Sequence, residues 1–131
     1  MDTVADHYLV EKVTSASPAE LTGMLYDKAV LSLRRAQAFL TAGDWERANG
    51  RILNASDIVL ELRCVLNPAA GDMTVRLEAL YAWVTQQLLI ANGRRDTRAV
   101  QEALDVLVPL QTAWRQACVG NTRPAAVPAA R

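Results

Sequence analysis

His7 is the only imidazole in a chain of 131 residues. One histidine cannot assemble a Ser-His-Asp relay or the paired Glu-x-x-His ligands of a carboxylate-bridged metal bundle, and this one reads as a surface residue. Glycine-rich phosphate loops are missing as well: the six glycines fit no Walker-type or dinucleotide pattern and sit mostly at helix ends and turns. Nothing approaches the run of about 18 apolar residues that would span a bilayer. The first ten residues, MDTVADHYLV, carry acids where a secretory signal needs bases, so a cytosolic protein is expected. Charge of one sign is not in excess. Fourteen basic residues, all arginine but Lys12 and Lys28, are scattered against fourteen acids and leave no footprint for nucleic acid or an anionic membrane. Cys64 and Cys118 stand alone beside apolar residues and are expected as small, reduced core residues with no disulfide.

What is present is helical periodicity. At 51% hydrophobic and 21% charged, the chain has an ordinary globular composition and the length of one domain. Ser17, Pro18 and Glu20 form an N-cap, a first helical position and a capping-box carboxylate, opening a segment that runs to Thr41 and stops near Gly43. Asp44 caps the next segment, where Trp45, Ala48, Ile52, Ala55, Val59, Leu62 and Leu66 alternate steps of three and four. Asn67-Pro68 ends it and Gly71-Asp72 starts another turn. A third seam uses Met73, Leu77, Leu80, Val84, Leu88 and Ala91 before Asn92-Gly93. Asp96 or Thr97 opens the fourth, with Val100, Ala103, Leu107, Leu110, Trp114 and Ala117. Sustained period-two alternation is absent, so strands are not expected.

Short connections make successive helices reverse, which predicts an all-α, antiparallel up-down-up-down four-helix bundle over residues 17–118. Residues 1–16 form a leader apolar enough, through Tyr8, Leu9 and Val13, to lie on the bundle. Residues 119–131, rich in Pro and Ala, are expected as a disordered tail. Pro109 removes a backbone donor inside the fourth segment, and a kink or local break is expected there.

No catalytic set assembles, and neither a metal nor another cofactor is expected. Asp57 and Glu61 share a helix face at i, i+4, as paired carboxylates would, but they read as a solvated face, as do Glu102 and Asp105. Trp45 and Trp114 fall on the seams and read as core, whereas Trp83 lies off its seam. Without a basic groove, the three tryptophans do not make a nucleic-acid platform.

The first helix has more apolar surface than one stripe requires. Leu21, Leu25, Ser32, Ala36 and Phe39 form one arc, with Ala29 and Leu40 at its edge. Tyr26 and Val30 widen it on one side and Met24 and Leu31 on the other, around Lys28 and Arg35. Ile58, Val65, Trp83 and Ile90 add similar flanks on the second and third helices. The surplus fits a broad core contact, a cover provided by the leader, a homodimer interface, or a groove for another chain's amphipathic helix, and periodicity alone does not choose.

The stretch Val13-Thr14-Ser15-Ala16-Ser17-Pro18-Ala19-Glu20-Leu21, followed by Met24-Leu25-Tyr26-Asp27-Lys28-Ala29, resembles the signature of the FliS family of flagellin export chaperones. The resemblance continues in order from about Val4 to Cys118: Tyr8 in the leader, Leu66-Asn67-Pro68 to Gly71-Asp72, Leu80-Tyr81, Leu88-Leu89-Ile90-Ala91-Asn92 with Asp96, and Ala113-Trp114. The family usually has Thr where Ser15 stands, and Gly at the place of Lys28, where a partner backbone could approach closely. Pro109 is also foreign to the pattern.

The resemblance implies a cytosolic secretion chaperone that binds the C-terminal segment of flagellin, keeps it from polymerising and hands it to the flagellar type III export apparatus. Its export gate and other flagellar regulators would be further partners. Tyr8, Val13, Leu21, Met24, Leu25, Tyr26, Asp27, Leu31, Ile58 and Trp83 are the expected partner contacts, the leader covering part of the surface when no client is bound. A homodimeric structural bundle that binds no flagellin is the alternative.

Overall fold

The computed structural model describes residues 17–120, with the side chains of residues 119 and 120 excepted. The leader with His7, Tyr8 and Val13, and the chain beyond residue 120, lie outside the described residues. Four long helices follow in order: α1 Pro18–Thr41, α2 Trp45–Cys64, α3 Asp72–Arg94 and α4 Thr97–Gly120, with a one-turn 3₁₀ helix, Pro68–Ala70, between α2 and α3. No strand occurs among the described residues.

Local chemistry sets the helix ends. Ser17 Oγ accepts from the Glu20 N–H and Glu20 Oε1 accepts from the Ser17 N–H, both at 3.1 Å, so the capping box is complete. At the other end of α1 the Asp44 N–H reaches back to the Phe39 carbonyl at 2.8 Å, with Gly43 between them at φ 77°. This is a Schellman closure with glycine in the left-handed position. Asp44 Oδ1 then accepts from the Arg47 N–H at 3.2 Å and caps α2. The end of α3 differs from the expected stop at Asn92-Gly93. The helix continues to Arg94, and the Asp96 N–H closes onto the Ala91 carbonyl at 3.1 Å. That geometry puts the left-handed residue at Arg95, φ 53°, and not at glycine. The Arg95 guanidinium lies 5.0 Å from the centre of the Trp45 ring, a contact that helps offset the strained backbone.

α1 packs against α2 and α4, and α3 packs against the same two helices. Ser32 meets Arg51 and Asn54, while Asp27 meets Gln111 and Arg115 and Gln37 meets Gln101. Between α1 and α4 these pairings advance on one helix as they recede on the other, the pattern of an antiparallel pair. The core is formed by Tyr26, Ala29, Val30, Leu33, Ala36 and Leu40 of α1 with Ile52, Ala55, Val59 and Leu62 of α2, Leu77, Tyr81, Val84 and Leu88 of α3, and Val100, Leu104, Leu107 and Trp114 of α4.

Several expectations are corrected. The core arc of α1 is centred on Tyr26, Ala29 and Leu33, not on Leu21 and Leu25, because the bulkier run Tyr26-Val30-Leu33 is rotated to the bundle axis. Trp45 is partly exposed beneath Arg95, and Met73 and Leu80 are exposed while Tyr81 takes the inward position. Cys64 and Cys118 are both exposed, each in the last turns of its helix and on the outward side. Pro109 does not interrupt α4, which continues two residues into the stretch expected as tail. Being exposed, the ring sits on the outer side of the helix, where water can take up the carbonyl it leaves free.

Candidate functional site

Apolar side chains of α1 outside the fully buried core gather on its α2 side. Leu21, Met24, Leu25 and Leu31 face Ile58 and Val65 of α2 across an open groove of about 620 Å³. Leu31 stays 50% exposed. A polar bridge crosses the floor: Ser32 Oγ donates to the Arg51 carbonyl at 2.8 Å and accepts from Asn54 Nδ2 at 3.1 Å. It ties α1 to α2 midway, and the buried hydroxyl both donates and accepts. Charged side chains form the rim, with Lys28 and Arg35 on α1 and Arg51, Asp57 and Glu61 on α2.

Five of the ten expected contact residues, Leu21, Met24, Leu25, Leu31 and Ile58, therefore come together in one place. Three do not. Tyr26 is only 1% exposed and belongs to the core; its hydroxyl is hydrogen-bonded to that of Tyr81 across the bundle. Burial raises the pKa of both phenols above the ordinary value. The Tyr26 ring also packs on Trp114, 6.0 Å between centroids, whose Nε1–H donates to the Ala19 carbonyl at 2.6 Å. Gly23 permits this, since a Cβ there would stand 3.2 Å from Trp114 Cδ1.

Asp27 points to α4, accepting from Gln111 Nε2 at 2.8 Å and Arg115 Nη2 at 3.1 Å. Trp83 is exposed on α3, which contributes nothing to the groove. Tyr8 and Val13 lie outside the described residues. Sequence reasoning passed over the rim: Asp57 and Glu61 are indeed solvated, but they edge an apolar groove. The phase that carries them past Ile58 was the available signal. Ser32, a lone polar residue within an apolar arc, was the signal for the bridge.

Among the described residues, no three His, Cys, Asp or Glu side chains are placed to hold a metal ion. No helix there is long and apolar enough to cross a membrane. What the groove offers is apolar surface with charged edges.

A family model described as flagellar protein FliS matches residues 1–121. The chain is 31% identical over 110 residues to the flagellar secretion chaperone FliS of Bacillus subtilis, covering 84% of this chain and 82% of that one. It is 36% identical over 107 residues to the protein of the same name from Salmonella typhimurium, covering 79% and 78%, and 32% identical over 106 residues to that of Escherichia coli, with the same shares. The extent of these matches places the chain in the FliS family of flagellar secretion chaperones.

Proposed function

We propose that this chain captures the C-terminal segment of flagellin in the cytosol, keeps it from polymerising and delivers it to the flagellar type III export apparatus. The observation that carries the reading is the α1–α2 groove, an apolar trough left open beside the core, with Ile58 common to both. An amphipathic segment that is disordered alone can fold its apolar face into such a trough. Coupled folding of this kind buries about 1,000–3,000 Å² and loses several kcal/mol to ordering, which gives capture that is firm yet reversible without nucleotide. Met24, Leu31 and Leu21 contact the client directly in this reading. Trp83 would be reached where the client continues onto α3. Hand-over then requires only that the export gate or another flagellar partner compete for the same apolar face of the client. The role is binding and not catalysis.

The test is calorimetric titration with a peptide of the last roughly forty residues of a flagellin from the same organism, room for two or three average helices. Circular dichroism is recorded alongside. One-to-one binding with a negative heat-capacity change and gained helicity supports the reading, provided Met24→Glu weakens it. No binding refutes it. The second reading, a homodimeric bundle, draws on Leu53, Leu60 and Leu89, which are exposed outside the groove. A concentration-dependent dimer that flagellin peptide does not disturb would favour it.

A further inference from the structure

The charges around the groove are ordered along its length. Arg51 lies at the level of Ser32, whose hydroxyl donates to its carbonyl at 2.8 Å, and Arg35 follows Ser32 by one turn. Asp57 and Glu61 lie further along α2, toward Val65, and the groove there is walled on the α1 side by Leu21 and Met24. Arg35 and Arg51 thus share one end of the groove, and Glu61 marks the other. Lys28 and Asp57 stand between them and offset each other. None of these five side chains makes a hydrogen bond or ion pair with another described residue. The ten helical steps from Arg51 to Glu61 span about 15 Å, the length of a three-turn helix.

A helix carries a partial positive charge at its N-terminus and a negative one at its C-terminus. Laid in the groove with its N-terminus beside Glu61 and its C-terminus between Arg35 and Arg51, it meets opposite charge at both ends. Reversed, it meets like charge at both. We infer that the groove takes an amphipathic helix in one direction only, parallel to α1 and antiparallel to α2, and that it fits best a segment basic in its first turn and acidic in its last. The inference rests on the docking reading above. A segment with that charge order opposes its own dipole when free and is a poor helix in isolation. It gains helix when the groove supplies the compensating charges, so direction sensing and coupled folding become one event.

The probes are two end-blocked amphipathic peptides of identical composition and identical leucine stripe. One is basic first and acidic last, and the other has the reverse order. Each is titrated against the full chain by fluorescence anisotropy at roughly 0.01 M and roughly 1 M salt, where screening lengths are about 30 and 3 Å. The basic-first probe is expected to bind about tenfold more tightly at low salt, and the preference to fade at high salt. Its lower intrinsic helicity works against this result, so a preference cannot arise from helix propensity. The combined variant Arg35→Glu, Arg51→Glu, Asp57→Lys, Glu61→Lys should invert the order. Should that variant not fold, Arg35→Gln with Glu61→Gln should reduce the preference. Equal affinities for the two probes, with both weakened by Met24→Glu, would overturn the directional inference and leave helix docking intact. No saturable binding of either probe also overturns it, and the fate of docking is then read separately from the flagellin peptide titrated against Met24→Glu.

Discussion

The hydroxyls of Tyr26 and Tyr81 meet in the middle of the bundle, one from α1 and one from α3, and both residues are 1% exposed. Their rings lie 6.4 Å apart at 51°. No buried side-chain polar atom among the described residues lacks a partner, and here each hydroxyl is the other's side-chain partner. Tyr81→Phe therefore leaves the Tyr26 hydroxyl stranded in apolar surroundings, at a cost of about 1–3 kcal/mol, and Tyr26→Phe does the same to Tyr81. Removing both strands nothing and forfeits only the net worth of one hydrogen bond, about 0.5–1.5 kcal/mol. The double variant should thus be less destabilised than the sum of the singles by about 1.5–4.5 kcal/mol. Urea unfolding followed by tryptophan fluorescence measures this, since one of the three tryptophans, Trp114, packs on the Tyr26 ring, and the slope with urea should not change. Additive singles, or singles costing less than about 0.5 kcal/mol, would show that water or another group replaces the lost partner, and the reasoning would fail. The same variants bear on function. Tyr26 is part of the core, so Tyr26→Phe should leave flagellin-peptide affinity within about twofold while it lowers stability.

Because burial raises both phenol pKa values, the folded protein holds protons that the unfolded chain releases above about pH 10. The stability contribution is full below that pH and lost as pH rises through it, with a slope approaching about 1.4 kcal/mol per unit for each tyrosine; urea midpoints across that range should show the fall, and the double Phe variant should lack it. Met24→Glu puts a charge on the groove wall and should weaken the flagellin peptide at least tenfold, about 1.4 kcal/mol, with a smaller change in the urea midpoint. Asp27→Ala removes two exposed contacts with α4 and should cost less than about 1 kcal/mol of stability. If calorimetry shows that it also costs tenfold in peptide affinity, Asp27 contacts the client and its assignment to the α1–α4 contact is incomplete.

The helices were legible because their ends are written in local chemistry. Ser17, Glu20, Asp44 and Asn67 act through neighbours no more than three residues away, so their spacing alone places them. The inward phase of α1 was less legible, since two apolar arcs compete and only tertiary packing decides between Leu25 and Tyr26. Arg95 illustrates a different limit. Gly93 looked like the natural stop, yet the Asp96 N–H bonds to the Ala91 carbonyl and moves the left-handed residue two positions on. The groove was half legible: surplus apolar surface could be counted, but its gathering beside Ile58 and Val65 required the pairing of α1 with α2. Trp83 and Asp27 show the cost of that gap, because equal exposure on a wheel says nothing about which neighbouring helix a face meets.

Under the proposed function, stability and binding draw on nearly separate residues of the same helix. Tyr26, Ala29, Leu33, Ala36 and Leu40 close the core, while Leu21, Met24, Leu25 and Leu31 open on the groove. This division answers why α1 is too apolar for its place in a small bundle: one arc closes the core and the other is left on the open groove, where the proposed function puts a client. The two sets meet at Ile58, a buried residue that also walls the groove, and at Ser32, whose bridge to Asn54 and the Arg51 carbonyl fixes the spacing of the walls. Under the proposed function, substitution at either position mixes folding with binding, whereas substitution at Met24 or Leu31 should affect binding more than stability. A groove whose walls are already bridged by hydrogen bonds would also lower the entropic cost of assembling a site for a client. Under the proposed function the ordering cost would then fall on the client, which is where a chaperone for a disordered segment needs it, because release into an unfolded, exportable state recovers that cost.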